Sequence, residues 1–233
     1  MASMCLAVLA VAPEMRADDP VGAVRRAADT YAVATRGVVA FDVTTRSAVR
    51  GGPYRRDDLE SAAYVVTDGK PSRKRVLKLV EGRHVADAAE LQRASAKPDG
   101  PLSRFGMRLP FANGSVDAYA YEPARAEDGL TSIAFRANVR DESHGDGSIA
   151  IDEQHRPVRV VFRPAKLPEH ASEATVTVEF GTTATGRWDV TRIARAFSGR
   201  VGIVGGRVDS VSTYDAYRAF PTADLANAAI DRE

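Results

Sequence analysis

Cysteine is all but missing: Cys5 is the only one in 233 residues. No intramolecular disulfide, iron–sulfur cluster or multi-cysteine zinc site can be built. Charge of one sign is missing too. Thirty-two basic and 31 acidic residues leave a net charge of +1, so no global field draws in nucleic acid or an anionic membrane. Long hydrophobic runs are absent: residues 4–12 form an apolar stretch of nine, far short of a bilayer span. Catalytic signatures are absent as well. There is no Gly-x-Ser-x-Gly elbow, and Gly202-Ile203-Val204-Gly205-Gly206 lacks the Lys and Ser/Thr of a phosphate loop. The four histidines (His84, His144, His155, His170) form no spaced metal pair.

What is present is 44% hydrophobic and 27% charged residues, an ordinary globular balance. The apolar run at residues 4–12 reads as an export signal, residues 1–17, with processing after Ala17. Its leading region is atypical, because no Lys or Arg precedes Arg16. Residues 18–233 read as one domain that buries its own core.

Along the chain, Asp19-Pro20 opens an amphipathic helix over residues 19–36, with Val21, Val24, Ala28 and Tyr31 on one face. Gly37 ends it. Strands follow at residues 38–49, 59–67 and 73–81, the last two joined by Asp68-Gly69. Asp87 and Glu90 are spaced as a capping box for a short helix over residues 85–96. Residues 97–114, rich in Pro and Gly, read as a long loop. Strands are then expected at residues 116–121, 132–140, 148–152, 157–164, 174–180, 188–198 and 207–218. Their alternation puts one face in the core and the other in water, the pattern of an antiparallel sheet.

The densest polar cluster is Asp141-Glu142-Ser143-His144-Gly145-Asp146. Its oxygens and imidazole have the chemistry of a divalent-ion site. It also falls where a hairpin turns, and turns favour Asp, Ser and Gly for backbone reasons. Ser143 and His144 are neighbours, which on a strand point apart. A secreted hydrolase or metal-dependent enzyme, and a structural envelope protein, stay open as alternatives.

The element order is an amphipathic helix, a three-stranded meander, a helix and loop, then a long antiparallel series. With Gly147-Ser148-Ile149-Ala150-Ile151-Asp152 and Arg156-Pro157-Val158-Arg159-Val160-Val161-Phe162 as paired late strands, residues 19–220 resemble the outer-membrane lipoprotein carrier (LolA/LolB-like) superfamily, as a distant member. The resemblance implies an α+β fold, mainly β: a large antiparallel, unclosed, curved barrel-like sheet covered by the N-terminal helix and a second short helix. It implies a non-enzymatic, periplasmic or secreted carrier, monomeric, that holds lipid or lipoprotein acyl chains in an apolar cavity. Transient contact with membrane or envelope proteins is implied, and no cofactor, metal or nucleic acid. The family gates its lid with an early-strand arginine, a region that here contains Arg46. The largest apolar residues on the most regular strands are then the expected lining: Ile133, Phe135, Val158, Val160, Phe162, Val176, Val178 and Phe180, with Val24 and Tyr31 facing them from the helix.

Overall fold

The computed structural model describes residues 19–96, 108–112, 115–141, 143–167, 170–201 and 204–232. The expected export signal and most of the expected loop at residues 97–114 lie outside them. Asp19 caps the first helix by accepting from the Val21 amide, and Pro20 takes the first helical position, where no amide donor is needed. This helix, α1, runs Pro20–Ala34.

Four strands and a helix follow: β1 (Val38–Gly51), β2 (Tyr54–Thr67), β3 (Lys70–Glu81), β4 (His84–Val85) and α2 (Ala88–Ser95). Asp68 and Gly69 both adopt positive φ (49° and 74°) in the β2–β3 turn, the geometry that favours Asp-Gly in two-residue hairpins. The capping box at α2 forms as expected, with Asp87 and Glu90 each bonding the other's backbone amide. β2 starts five residues earlier than its apolar pattern suggests. Its charged opening, Tyr54-Arg55-Arg56-Asp57-Asp58, is held by pairing to β1 and by the cross-strand Arg50–Asp57 ion pair at 2.6 Å.

The remaining elements are β5 (Tyr119–Tyr121), β6 (Arg125–Glu127), β7 (Leu130–Ala137), β8 (Gly145–Ile151), β9 (Pro157–Pro164), β10 (Ala171–Thr182), β11 (Trp188–Val201), β12 (Val204–Phe220) and α3 (Ala223–Ile230). The single strand expected at residues 116–121 is a 3-10 turn, Val116–Ala118, followed by β5.

All pairings are antiparallel, in the order β4-β3-β2-β1-β12-β11-β10-β9-β8-β7-β5, with β6 beside β7. Two meanders are thus joined where β1 pairs with β12. β4 and β5 lie at opposite ends of this order, so the sheet is unclosed. This is the expected mainly-β, α+β architecture. An open sheet has edges to protect, and α2 serves one of them: Ser95 accepts from the Val76 amide on β3 at 2.8 Å.

Helix α3 has no counterpart in the sequence reading. Thr222 caps it, and Ala226 and Ile230 are buried on the outer sheet face against Ala40, Ala63 and Val65. Arg73 clasps Asp231 at its end. One part of the outer face is therefore dry, not wet. No helix among the described residues is long and apolar enough to cross a membrane.

Candidate functional site

The inner face is built by in-register rows. Ile133, Ile149, Val160, Val178 and Ile193 pair in sequence across β7, β8, β9, β10 and β11. The next row runs Phe135, Gly147, Phe162 and Val176. A Cβ on Gly147 would collide with the Val161 carbonyl and meet the Phe135 ring at 3.0 Å. Glycine there makes room for the two phenyl rings on either side. Val24, Ile133, Phe135, Val160, Phe162, Val176, Val178 and Phe180 all belong to this one buried cluster. Tyr31 packs against its edge, and Val158 is half-buried, next to the bulge between Ala150 and Ile151.

Among the described residues, two elements cover these rows. One is α1, which buries Ala23, Val24 and Ala27. Only Val24 of the expected stripe is fully buried. The helix is rotated so that its alanines lie down, letting the backbone come close. The other is the segment at residues 108–112, which inserts Leu109 and Phe111. Sequence reading missed both, although Leu109-Pro110-Phe111 is an apolar triplet inside a Gly/Pro loop. Tyr31, Phe111 and Phe180 form an edge-to-face triad with centroids 5.3, 5.5 and 5.6 Å apart.

The C-terminal half of α1 is fastened to the start of β11. The Tyr31 hydroxyl donates to Asp189 at 3.4 Å, Arg187 Nε donates to the same carboxylate at 2.9 Å, and Arg187 Nη1 donates to the Arg36 carbonyl at 3.0 Å. Burial pushes the Asp189 carboxyl above its ordinary pKa, outweighing the guanidinium and the Val190 amide that oppose it. Burial also raises the Tyr31 hydroxyl well above its ordinary value, so it stays a donor.

Beside this fastening a cleft of about 210 Å3 opens between α1 and the plug. Ala28, Tyr31, Ala32, Leu109, Phe111 and Ala112 line it, with Asp68, Gly69 and Lys70 at the β2–β3 turn. Farther along the inner face the surface turns polar. Glu60 pairs with Lys74 at 2.7 Å, and Arg195 donates to Ser212, which bonds Thr45 at 2.9 Å. Beyond that belt lies a wider groove of about 400 Å3, with Val49, Tyr54, Phe197 and Val208 among its walls. Arg46 faces the opposite, outer side, in a hollow with Leu59, Val80 and Val211. It is therefore remote from the lid that the resemblance would have it gate.

The polar cluster at residues 141–146 is a turn cap. Asp141 Oδ1 accepts from the amides of Ser143 and His144 and from the Ser143 hydroxyl, at 2.8 to 2.9 Å. His144 Nδ1 contacts that same oxygen at 2.8 Å and Ser143 Oγ at 3.2 Å. The neighbours converge, contrary to the strand-based expectation, because Ser143 precedes β8 and sits in the turn. A serine nucleophile needs the far imidazole nitrogen from the carboxylate, and here both partners crowd one nitrogen. Glu142 lies outside the described residues, and among those described no group of three metal-ligating side chains gathers.

These bonds hold the Asp141 carboxyl well below the usual carboxylate range, the His144 side chain contributing most. A folded pKa below the unfolded one stabilises above the ordinary carboxylate pKa and is lost on acidification. Asp141→Asn should therefore lower the melting temperature at pH 7. That gap should narrow steadily once the pH falls below about 4. A gap that stays constant down to pH 3 would mean the carboxylate charge plays no part.

No family model matches the chain, and no curated protein matches it. Among solved structures it is similar to an outer membrane lipoprotein-sorting protein domain from Vibrio parahaemolyticus, with 11% identity, TM-score 0.42, and coverage of 94% of this chain and 100% of that one. It is similar to a DUF1329 family protein from Desulfovibrio piger, with 13% identity, TM-score 0.41, and coverage of 89% and 99%. A Pseudomonas aeruginosa MucA/MucB complex follows with 10% identity, TM-score 0.23, and coverage of 86% and 99%. At such identities and scores the likenesses say nothing of ligand or activity.

Proposed function

We propose that this is an extracytoplasmic carrier-like protein that holds acyl chains of a lipid or lipoprotein between α1 and the inner sheet face. One observation carries the reading. Among the described residues, a five-strand row of aliphatic side chains is covered by α1, whose buried contacts are mostly alanines, and by the Leu109–Phe111 plug, with a cleft already open between them. At about 210 Å3 the cleft is smaller than the roughly 300–1,000 Å3 of a ligand pocket. An acyl chain enters as Phe111 swings out and takes over its contacts with Tyr31 and Phe180. Each methylene that leaves water contributes about 0.8 kcal/mol, so a long chain can replace one phenyl ring at a gain. No catalytic group is needed. Contact with a membrane or an envelope protein would be transient, at loading and release.

The test is mass spectrometry of lipid extracted from the mature protein after purification without detergent. Co-purifying acyl lipid in near-stoichiometric amount is expected. A lipid-free protein that also fails to enhance a hydrophobic dye would end the carrier reading.

A further inference from the structure

We propose that Tyr121 is a releasable latch on the plug at residues 108–112: as Phe111 swings out, its hydroxyl stops donating to the Pro110 carbonyl and donates to the Val116 carbonyl alone, while Arg108 stays pinned as the pivot. The latch gives the α1 site its control, and in that purpose it rests on the carrier reading.

The plug is gripped unequally along its length. The Arg108 amide donates to the Ser143 carbonyl at 2.8 Å, and the Arg108 carbonyl accepts from the Tyr119 hydroxyl. Ser143 belongs to the turn that Asp141 caps, so this end is fixed to the start of β8. Two residues on, Pro110 has no amide to donate. Its residue is buried, and its carbonyl accepts from the Tyr121 hydroxyl at 3.2 Å. Among the described residues that is the Pro110 carbonyl's one donor.

Tyr121 has a single proton and two acceptors, the Pro110 carbonyl and, at 3.1 Å, the Val116 carbonyl. The second acceptor stands apart from the plug. It opens the 3-10 turn Val116–Ala118, which Arg25 ties to α1 through Asp117 at 2.9 Å and the Asn138 amide ties to the end of β7 through the Ala118 carbonyl at 2.9 Å. The Val116 carbonyl also accepts from the Tyr119 amide, so it is satisfied with or without the hydroxyl. When the plug leaves, Tyr121 keeps an acceptor and the Pro110 carbonyl meets water. Neither is left buried and unpaired, the outcome that makes breaking a hydrogen bond costly. Tyr119 and Tyr121 are two apart on β5 and face the same way, one on the pivot and one on the latch. Burial raises both hydroxyls above their ordinary pKa, so both stay donors.

Tyr121→Phe tests this, because it keeps the ring and leaves the Pro110 carbonyl without a donor unless the plug opens. Amide exchange is followed by NMR, residue by residue, on the ligand-free protein. The Phe111 and Ala112 amides should exchange roughly two- to tenfold faster, the worth of one net hydrogen bond. The Arg108 amide and β7 to β10 should keep their rates. Stopped-flow mixing with 11-dansylaminoundecanoate should show faster association and a Kd lower by the same factor, since apparent affinity follows the open fraction. A tyrosine that merely supports the core would weaken binding when truncated. Unchanged exchange at residues 111 and 112, equal acceleration at Arg108, or weaker binding by the folded variant overturns the proposal. Faster exchange at residues 111 and 112 alone, with the dansyl fatty acid bound by neither form, upholds the latch and ends the carrier reading.

Discussion

Phe111→Ala is expected to cost about 3 kcal/mol of stability and, at the same time, to raise the uptake of a hydrophobic dye. The two effects have one cause. Phe111 is 1% exposed and packs edge-to-face on Tyr31 and Phe180. Truncation leaves a void whose lining loses its partner atoms, and the protein can close it only in part. At about 2–4 °C per kcal/mol for a chain of this size, the melting temperature should fall by roughly 6–12 °C. Unlike an internal cavity, this void merges with the cleft that Phe111 already borders, so the lost volume becomes accessible. A variant that is merely less stable, with dye uptake unchanged below its melting point, would make Phe111 a core residue and nothing more.

Asp189→Ala should be comparably damaging, by about 3–5 kcal/mol, because it leaves the mostly buried Arg187 guanidinium without its carboxylate. It also frees the Tyr31 hydroxyl. Hydrogen exchange in the last turns of α1 should then speed up while that of β7 to β10 stays as it was. Tyr31→Phe removes only one 3.4 Å hydrogen bond and keeps the ring, so about 1 kcal/mol is expected. The pH dependence separates charge from packing. The raised Asp189 pKa means the folded carboxyl keeps its proton where the unfolded one has lost it. Its contribution is fully present below the ordinary carboxylate pKa and declines as pH rises through the raised value. Asp189→Asn should flatten that decline. Uniform acceleration of exchange across the whole sheet would show that Asp189 holds the core and not the helix.

The strands were legible where side chains alternate. β9 falls on its expected bounds because Pro157 and Pro164 punctuate a regular alternation, and Asp68-Gly69 needs the positive φ values it adopts. The inner-face residues were legible for the same reason: Ile133, Phe135, Val160 and Phe162 are large, apolar and two apart. Of what covers them, α1 was expected and the plug was not. Leu109 and Phe111 sit among prolines and glycines with no period to read, and their burial depends on contacts far along the chain. The charged start of β2 resembles a loop in composition, yet its pairing to β1 and the cross-strand Arg50–Asp57 ion pair make it a strand. Helix α3 spans eight residues, too few for its periodicity to stand out. The Asp189–Arg187 fastening was hidden by distance, since Asp189 and Tyr31 lie 158 residues apart in sequence.

The central claim, that acyl chains lie between α1 and the sheet, is tested most directly by photo-crosslinking with a palmitate analogue carrying a mid-chain diazirine. Mass-spectrometric mapping of the adducts should find them on Ala28, Tyr31, Ala32, Leu109 or Phe111. Adducts absent from α1 and from residues 108–112 would contradict the account.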